Sequence, residues 1–335
     1  MPPHPTGAES PENGYSIIMT VSPEESGPDL LRIPPFRDAH MHFMTEGGPV
    51  TAEELPEIRD RYRKCGIFSV YDMGHKSGIG LKAKELFGGF FSLETAGWSL
   101  YREGGYGGFT GKAVSGNNEI KKAVGELSGA GVDFIKVINS GIVSTRRDEP
   151  VTAGGFPLEE LKVVCQEAGG RGLQVHCHAN SDESVRNAVL AGVSAIEHGF
   201  LISRETVHMM AGAGVSWTPT VIGLRNILRF LNADEQRYME EVLGRHLIAI
   251  SEASTAGVTL KTGTDGGARG VPHGGSFFEE LLEFHKAGLS PEKILTAACM
   301  PREEMDKGNY LLVRKDFITA GEIQAVYEDG IRLVF

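Results

Sequence analysis

Short apolar runs alternate with longer stretches of helical pattern along most of the chain. Runs at 36–42, 66–71 (IFSVYD), 89–95 (GFFSLET), 133–138 (DFIKVI), 172–177 (GLQVHC), 193–198 (VSAIEH), 214–219 (GVSWTP) and 257–263 (GVTLKTG) predict eight strands. Helices are predicted over 51–65, 117–130, 157–170, 182–191, 203–212, 224–256, 275–288 and 291–299. Gly66, Gly131, Gly172, Gly192, Gly214 and Gly257 precede strands, where a glycine can end the preceding helix. Ser290-Pro291 reads as an N-cap followed by proline at the first helical position. Asn117 or Asn118 could cap the 117–130 helix. Eight strand–helix alternations predict an α/β chain whose parallel sheet closes into a (β/α)8 TIM barrel over 36–305. An open doubly wound sheet fits less well, because no G-x-G-x-x-G follows a first strand and opens a helix. Residues 1–14 read as a flexible arm, and 15–35 with 306–335 as a small β subdomain. The Gly-rich stretch 104–116 reads either as a lid or as a disordered surface loop.

Charge and cysteine usage narrow the partners. Forty-four acidic residues against 33 basic ones give a net charge of −11, which argues against nucleic acid. Cys65, Cys165, Cys177 and Cys299 form no C-x-x-C pair and read as free thiols, suiting a reducing cytoplasm. No run approaches the ~20 apolar residues of a membrane-spanning helix, and the first residues lack the pattern of a signal peptide. The expectation is a cytoplasmic protein acting on a small molecule without a membrane partner, with homo-oligomerisation left open.

In a barrel, reactive groups sit at the C-terminal ends of the strands. The first strand ends in His40 and His42, which alternation puts on one face, within reach of a single metal ion. The fourth carries Lys136 between Ile135 and Val137, a costly charge to bury unless it is paired or removed. The fifth offers His176 and His178, the sixth ends in Glu197-His198-Gly199, and the eighth in Thr264-Asp265-Gly266-Gly267.

This ordered set of H-x-H, Lys, His, His and Asp resembles the amidohydrolase superfamily from Phe36 to Met305. DFIKVINSGIVS, VHCHAN, AGVSAIEHG, GTDGG and PHGG, with AGLSPEKILTAA after the next helix, also resemble one branch of it. That branch holds imidazolonepropionase-like proteins and metal-dependent Xaa-Pro or Xaa-Arg/Lys dipeptidases. The resemblance implies two divalent metal ions, most simply zinc, given imidazole and carboxylate donors without thiolate. His40, His42 and Asp265 would hold one ion, and His176 and His198 the other. Lys136, N-carboxylated by CO2, would bridge them, with a water or hydroxide between. Asp265 would take the proton of the attacking water and pass it to the leaving group. His178 would contact substrate, and Glu197 would face away from the interior. The implied reaction is hydrolysis of an amide-type bond in a dipeptide, N-acyl amino acid or cyclic amide.

Tyr101, Arg102, Tyr106, His75, Arg225 and His273 follow strand ends and could overhang the site, and Arg102 or Arg225 could hold a substrate carboxylate. The rival readings are a mononuclear imidazolonepropionase- or deaminase-like hydrolase, an esterase or lactonase on the same site, and a non-catalytic barrel scaffold. Lys136 argues against the mononuclear form and the full ligand set against the scaffold. Relatives of this branch carry a larger terminal β-sandwich, so the chain ends here are expected to make a reduced sandwich or small sheet.

Overall fold

Seven of the eight predicted runs contain regular strands: β1 (Phe36–Met41), β2 (Ile67–Asp72), β3 (Ser92–Thr95), β4 (Phe134–Ile138), β5 (Gln174–Ser181), β6 (Ala195–Leu201) and β7 (Ser216–Thr218). They belong to a computed structural model that describes residues 17, 19–20, 30–45 and 48–335. The expected arm at 1–14 lies outside the described residues. The strands pair in parallel, β1-β2-β3 in one sheet and β7-β6-β5-β4 in another. The second sheet continues through Ser99–Arg102 to Gly111–Val114. Helices between the strands bury one stripe each, such as Ile120, Val124 and Leu127 on Gly116–Gly129. Leu161, Val164 and Ala168 do the same on Leu158–Gly169. Burying each large apolar side chain contributes roughly 1.5–3 kcal/mol.

The eighth run, 257–263, forms no regular strand; its one ladder pairing is a parallel bridge between Leu260 and Trp217. It nonetheless joins both sheets. Trp217 N donates to Thr259 O (2.9 Å), and Lys261 N to Trp217 O (2.9 Å). On its other side Ala39 N donates to Thr262 O (2.8 Å), and Asp265 N to His40 O (2.8 Å). Gly263 permits this approach, since a Cβ there would lie 2.4 Å from Thr218 Cγ2 and 2.7 Å from His40 Cβ. At the remaining seam Asp133 N donates to Thr95 O at 2.9 Å.

Two helix expectations change. The 224–256 run divides into Val221–Arg225, a 3-10 turn at Leu228–Phe230 and Ala233–Ala256. The chain restarts because Asn232 caps the long helix, its side chain accepting from Asp234 N and Glu235 N. The helix expected from 117 starts at Gly116 after Ser115, so neither Asn117 nor Asn118 caps it. The ends of the chain meet in a five-stranded antiparallel sheet of Met19–Thr20, Leu30–Ile33, Tyr310–Arg314, Ala325–Glu328 and Ile331–Arg332. Among the described residues no helix is long and apolar enough to cross a membrane.

Candidate metal centre

A cavity of about 560 Å³ opens over the C-terminal ends of the parallel strands, and Lys136, His42, His178, His198 and Asp265 line it. His40 is fully buried beside it. One donor atom each from His40, His42 and Asp265 lies within 4.8 Å of the others. His40 Nε2 and His42 Nε2 stand 3.4 and 3.6 Å from Asp265 Oδ1. The His198 ring centroid is 4.8 Å from that of His40 and 4.5 Å from that of His178.

Each of these rings is anchored through its other nitrogen. His40 Nδ1 donates to Glu197 Oε2 (2.6 Å) and His42 Nδ1 to Gly74 O (2.9 Å). His178 Nε2 donates to Gly141 O (3.1 Å), and His198 Nδ1 bonds Thr220 Oγ1 (2.7 Å). One nitrogen per ring is thereby left to serve a cation, the arrangement that fixes tautomer and direction in metal-binding histidines. Burial disfavours the imidazolium form, lowering His42 to about 4 and His178 to about 3. Neutral imidazoles are the form that binds metal. Burial also opposes the charge on Asp265, but the imidazoles around it, His40 foremost, outweigh it and hold the carboxyl well below its usual range.

The backbone is bent to bring these groups together. His198, Thr220 and Asp265 all have left-handed φ values, 72°, 49° and 59°. Such residues cost of order 1–3 kcal/mol each and cluster at functional sites. At His198 the bend breaks strand alternation, so Glu197 and His198 both reach the interior. Glu197 is fully buried and accepts from His40 and His176, which corrects the expectation that it faces away. Asp38 ties β1 to the eighth run, its carboxylate accepting from Thr264 N (3.0 Å) and Thr264 Oγ1 (2.6 Å). Glu197 faces inward in plain register beside His178, and it is His198 that the torsion turns inward as well. Asp38 shares the face of His40 by alternation, a signal the sequence did hold.

Lys136 Nζ is buried without a hydrogen-bond partner, as is His40 Nε2. Burial lowers the Lys136 pKa. These orphaned atoms, with the free imidazole nitrogens and Asp265, fit a site for cations.

The two histidines of β5 part company. His178 lines the cavity beside His198, whereas His176 is not among the lining residues. His176 Nδ1 is spent on Glu197 Oε1 (2.9 Å), and its ring stacks on Phe134, centroids 4.4 Å apart. His40 is held in the same way, its Nδ1 on Glu197 and its ring outside the lining, so the expected division of His176 to metal and His178 to substrate is taken up under the proposal below. Both point inward, but His178 stands one step nearer the open end.

The remaining candidates mostly stay away from the cavity. Arg102 pairs with Glu160 (3.1 Å) and Arg225 with Glu283 (2.7 Å). His273 is buried between Met44 O (2.8 Å) and Tyr62 Oη (3.1 Å), and His75 bonds Ser77 Oγ (2.8 Å). None of these four, nor Tyr101, lines the cavity, while Tyr106 from the 104–116 loop does. Arg269, which the sequence did not single out, lines its rim.

Residues 33–301 match the amidohydrolase family. The chain belongs to that family. It is accordingly a hydrolase acting on C–N bonds. An uncharacterised protein of Mycobacterium tuberculosis is 25% identical over 274 residues, 80% of this chain and 72% of its own length. Aspergillus niger ochratoxinase is 28% identical over 67% of this chain but only 45% of its own length. A solved Xaa-Pro dipeptidase with bound methionine superposes with a TM-score of 0.73 at 21% identity, covering 90% of this chain and 86% of that one. The ochratoxinase structure gives 0.72 at 19% identity, over 90% and 82%. These likenesses establish a shared α/β fold.

Proposed function

We propose that this amidohydrolase is a binuclear, metal-dependent hydrolase of an amide-type bond in a small molecule, built on a closed (β/α)8 barrel. Closure is supported by the eighth run, which bonds β7 on one side and β1 on the other. The terminal five-stranded sheet is then the reduced β subdomain. The observation that carries the functional reading is the set of anchored imidazoles around the unpartnered, buried Lys136.

His40, His42 and Asp265 would hold one cation, and His178 and His198 the other, with His178 taking the place first expected of His176. Lys136 would bridge them as a carbamate: its neutral amine bonds the carbon of CO2 and releases one proton to solvent. The ammonium that burial disfavours is thereby replaced by a two-oxygen anion. Two divalent ions, when bound, supply Lewis acidity that polarises a carbonyl and acidifies water. Asp265 accepts the proton of the attacking water and delivers it to the leaving nitrogen. Glu197 holds His40 from behind and fixes its tautomer. A single-metal reading accounts for His40, His42 and Asp265 but leaves Lys136 without a role. The Xaa-Pro dipeptidase among the structural neighbours supports a dipeptide or other N-acyl amino acid as substrate.

The test is metal per chain, by plasma mass spectrometry, on protein prepared with zinc and bicarbonate. About two ions are expected, with marked loss in Lys136→Ala and a fall in kcat/KM of roughly a thousandfold or more. One ion, unchanged in Lys136→Ala, would sink the binuclear reading.

A further inference from the structure

The cavity has two faces of different character. Tyr106, Phe109, Ile142, Phe200, Leu224 and Ile227 give it a largely apolar wall. Phe109 and Ile142 are 43% and 44% exposed, and Phe230 beside the rim is 42% exposed. Large apolar side chains left in water around one opening mark a surface that is covered when the site is in use. Against this wall stands one guanidinium. Arg269 is exposed, lines the cavity and lies with Cζ 4.0 Å from the Phe230 ring centroid. Among the described residues no carboxylate is in ion-pair contact with it, whereas Arg102 and Arg225 are each engaged by a glutamate.

Arg269 is also tied to the reacting centre. Ala268 N donates to Asp265 O (3.0 Å) and Gly267 N to Val271 O (2.9 Å), so Asp265 and Arg269 share one tight turn. Gly267 is required there: its φ is +94°, and a Cβ would lie 2.4 Å from His42 O. The group that hands a proton to the leaving nitrogen is therefore four residues from a forked cation that no described carboxylate pairs.

Resting on the proposed amide-hydrolase reading, we infer that the substrate is an N-acyl α-amino acid, a dipeptide included, whose carboxylate docks on Arg269 and whose apolar groups lie on the aromatic and aliphatic wall. The carboxylate belongs to the amine half. In an N-acyl amino acid it is separated from the scissile nitrogen by one carbon, and that nitrogen is the one Asp265 serves. A guanidinium suits this task because it binds a carboxylate through two parallel hydrogen bonds while stacked on an aromatic ring.

The experiment measures equilibrium binding to the metal-loaded protein by titration calorimetry. The ligands are N-benzyl-L-phenylalanine, which has no amide bond, and N-benzyl-L-phenylalaninol, in which CH2OH replaces the carboxylate. Wild type is expected to prefer the carboxylate by roughly tenfold or more. Arg269→Gln should lose most of that preference, and Arg269→Lys should keep part of it. No carboxylate preference in wild type, including no binding of either ligand, overturns the inference. So does a preference that survives intact in Arg269→Gln. Because this readout needs no turnover, it separates from the metal test. Two ions without carboxylate preference would refute Arg269 alone, and a preference lost in Arg269→Gln without two ions would refute the binuclear centre alone.

Discussion

On the floor of the cavity, His40, His42, His178 and His198 each spend one ring nitrogen on a fixed partner: Glu197, Gly74 O, Gly141 O or Thr220. At the rim, Arg269 lies on the face of Phe230 with no ion pair among the described residues, and Phe109 and Ile142 are exposed. The floor is made of strand ends, whose positions the ladders fix to within a hydrogen bond. The rim is made of loops, which are held by few contacts and set by what they must admit. Rigid anchoring suits groups that must converge on small cations, and an open rim suits a part that must sort substrates. The difference teaches that reaction type and substrate choice are written in different parts of this chain.

The comparison breaks most sharply at β5. His178→Ala should remove about one ion per chain and lower kcat/KM by roughly a thousandfold. His176→Ala, which disturbs only the support of Glu197, should keep both ions while weakening metal affinity about 10–100-fold. Metal titration of the two variants decides it, and the reverse order would return His176 to the floor.

A middle-sized effect comes from behind the Thr220 turn. Glu280 is buried and accepts from Val221 N and Ile222 N, both at 2.9 Å. Burial pushes its carboxyl up from 4.5 to about 8, against the pull of those donors. The folded chain then holds this proton more tightly than the unfolded one. The resulting stability is complete below pH 4.5 and lost as pH rises through about 8. The decline should reach roughly 1.4 kcal/mol per pH unit within that window. Melting curves across it should show the fall in wild type and a flatter profile in Glu280→Gln, even though that variant starts lower for want of one acceptor.

The smallest effect sharpens the rim. Arg102 is 41% exposed and paired with Glu160 away from the cavity. Arg102→Ala should cost under about 1 kcal/mol of stability and leave kcat/KM unchanged. Loss of activity there would bring Arg102 back as a substrate contact.

Much of the floor is legible in the sequence. Lys136 is conspicuous because an ammonium between Ile135 and Val137 has no cheap burial. His40 and His42 follow from strand alternation. The same alternation misleads at Glu197, because the left-handed torsion at His198 interrupts it. Nor can it choose between His176 and His178, which share a face and differ only in depth. Arg102 and Arg225 look available because their partners, Glu160 and Glu283, lie 58 residues away in each case.

The sequence by itself determined the order of strands and helices and the residue types gathered at the strand ends, because periodicity and the cost of buried charge are local properties. Tertiary structure decided which of two inward histidines reaches the cavity, that Glu197 backs His40, and that Arg269 stands at the rim without an ion pair among the described residues. Those outcomes depend on depth, on single torsions and on long-range pairing, and a linear pattern carries none of the three.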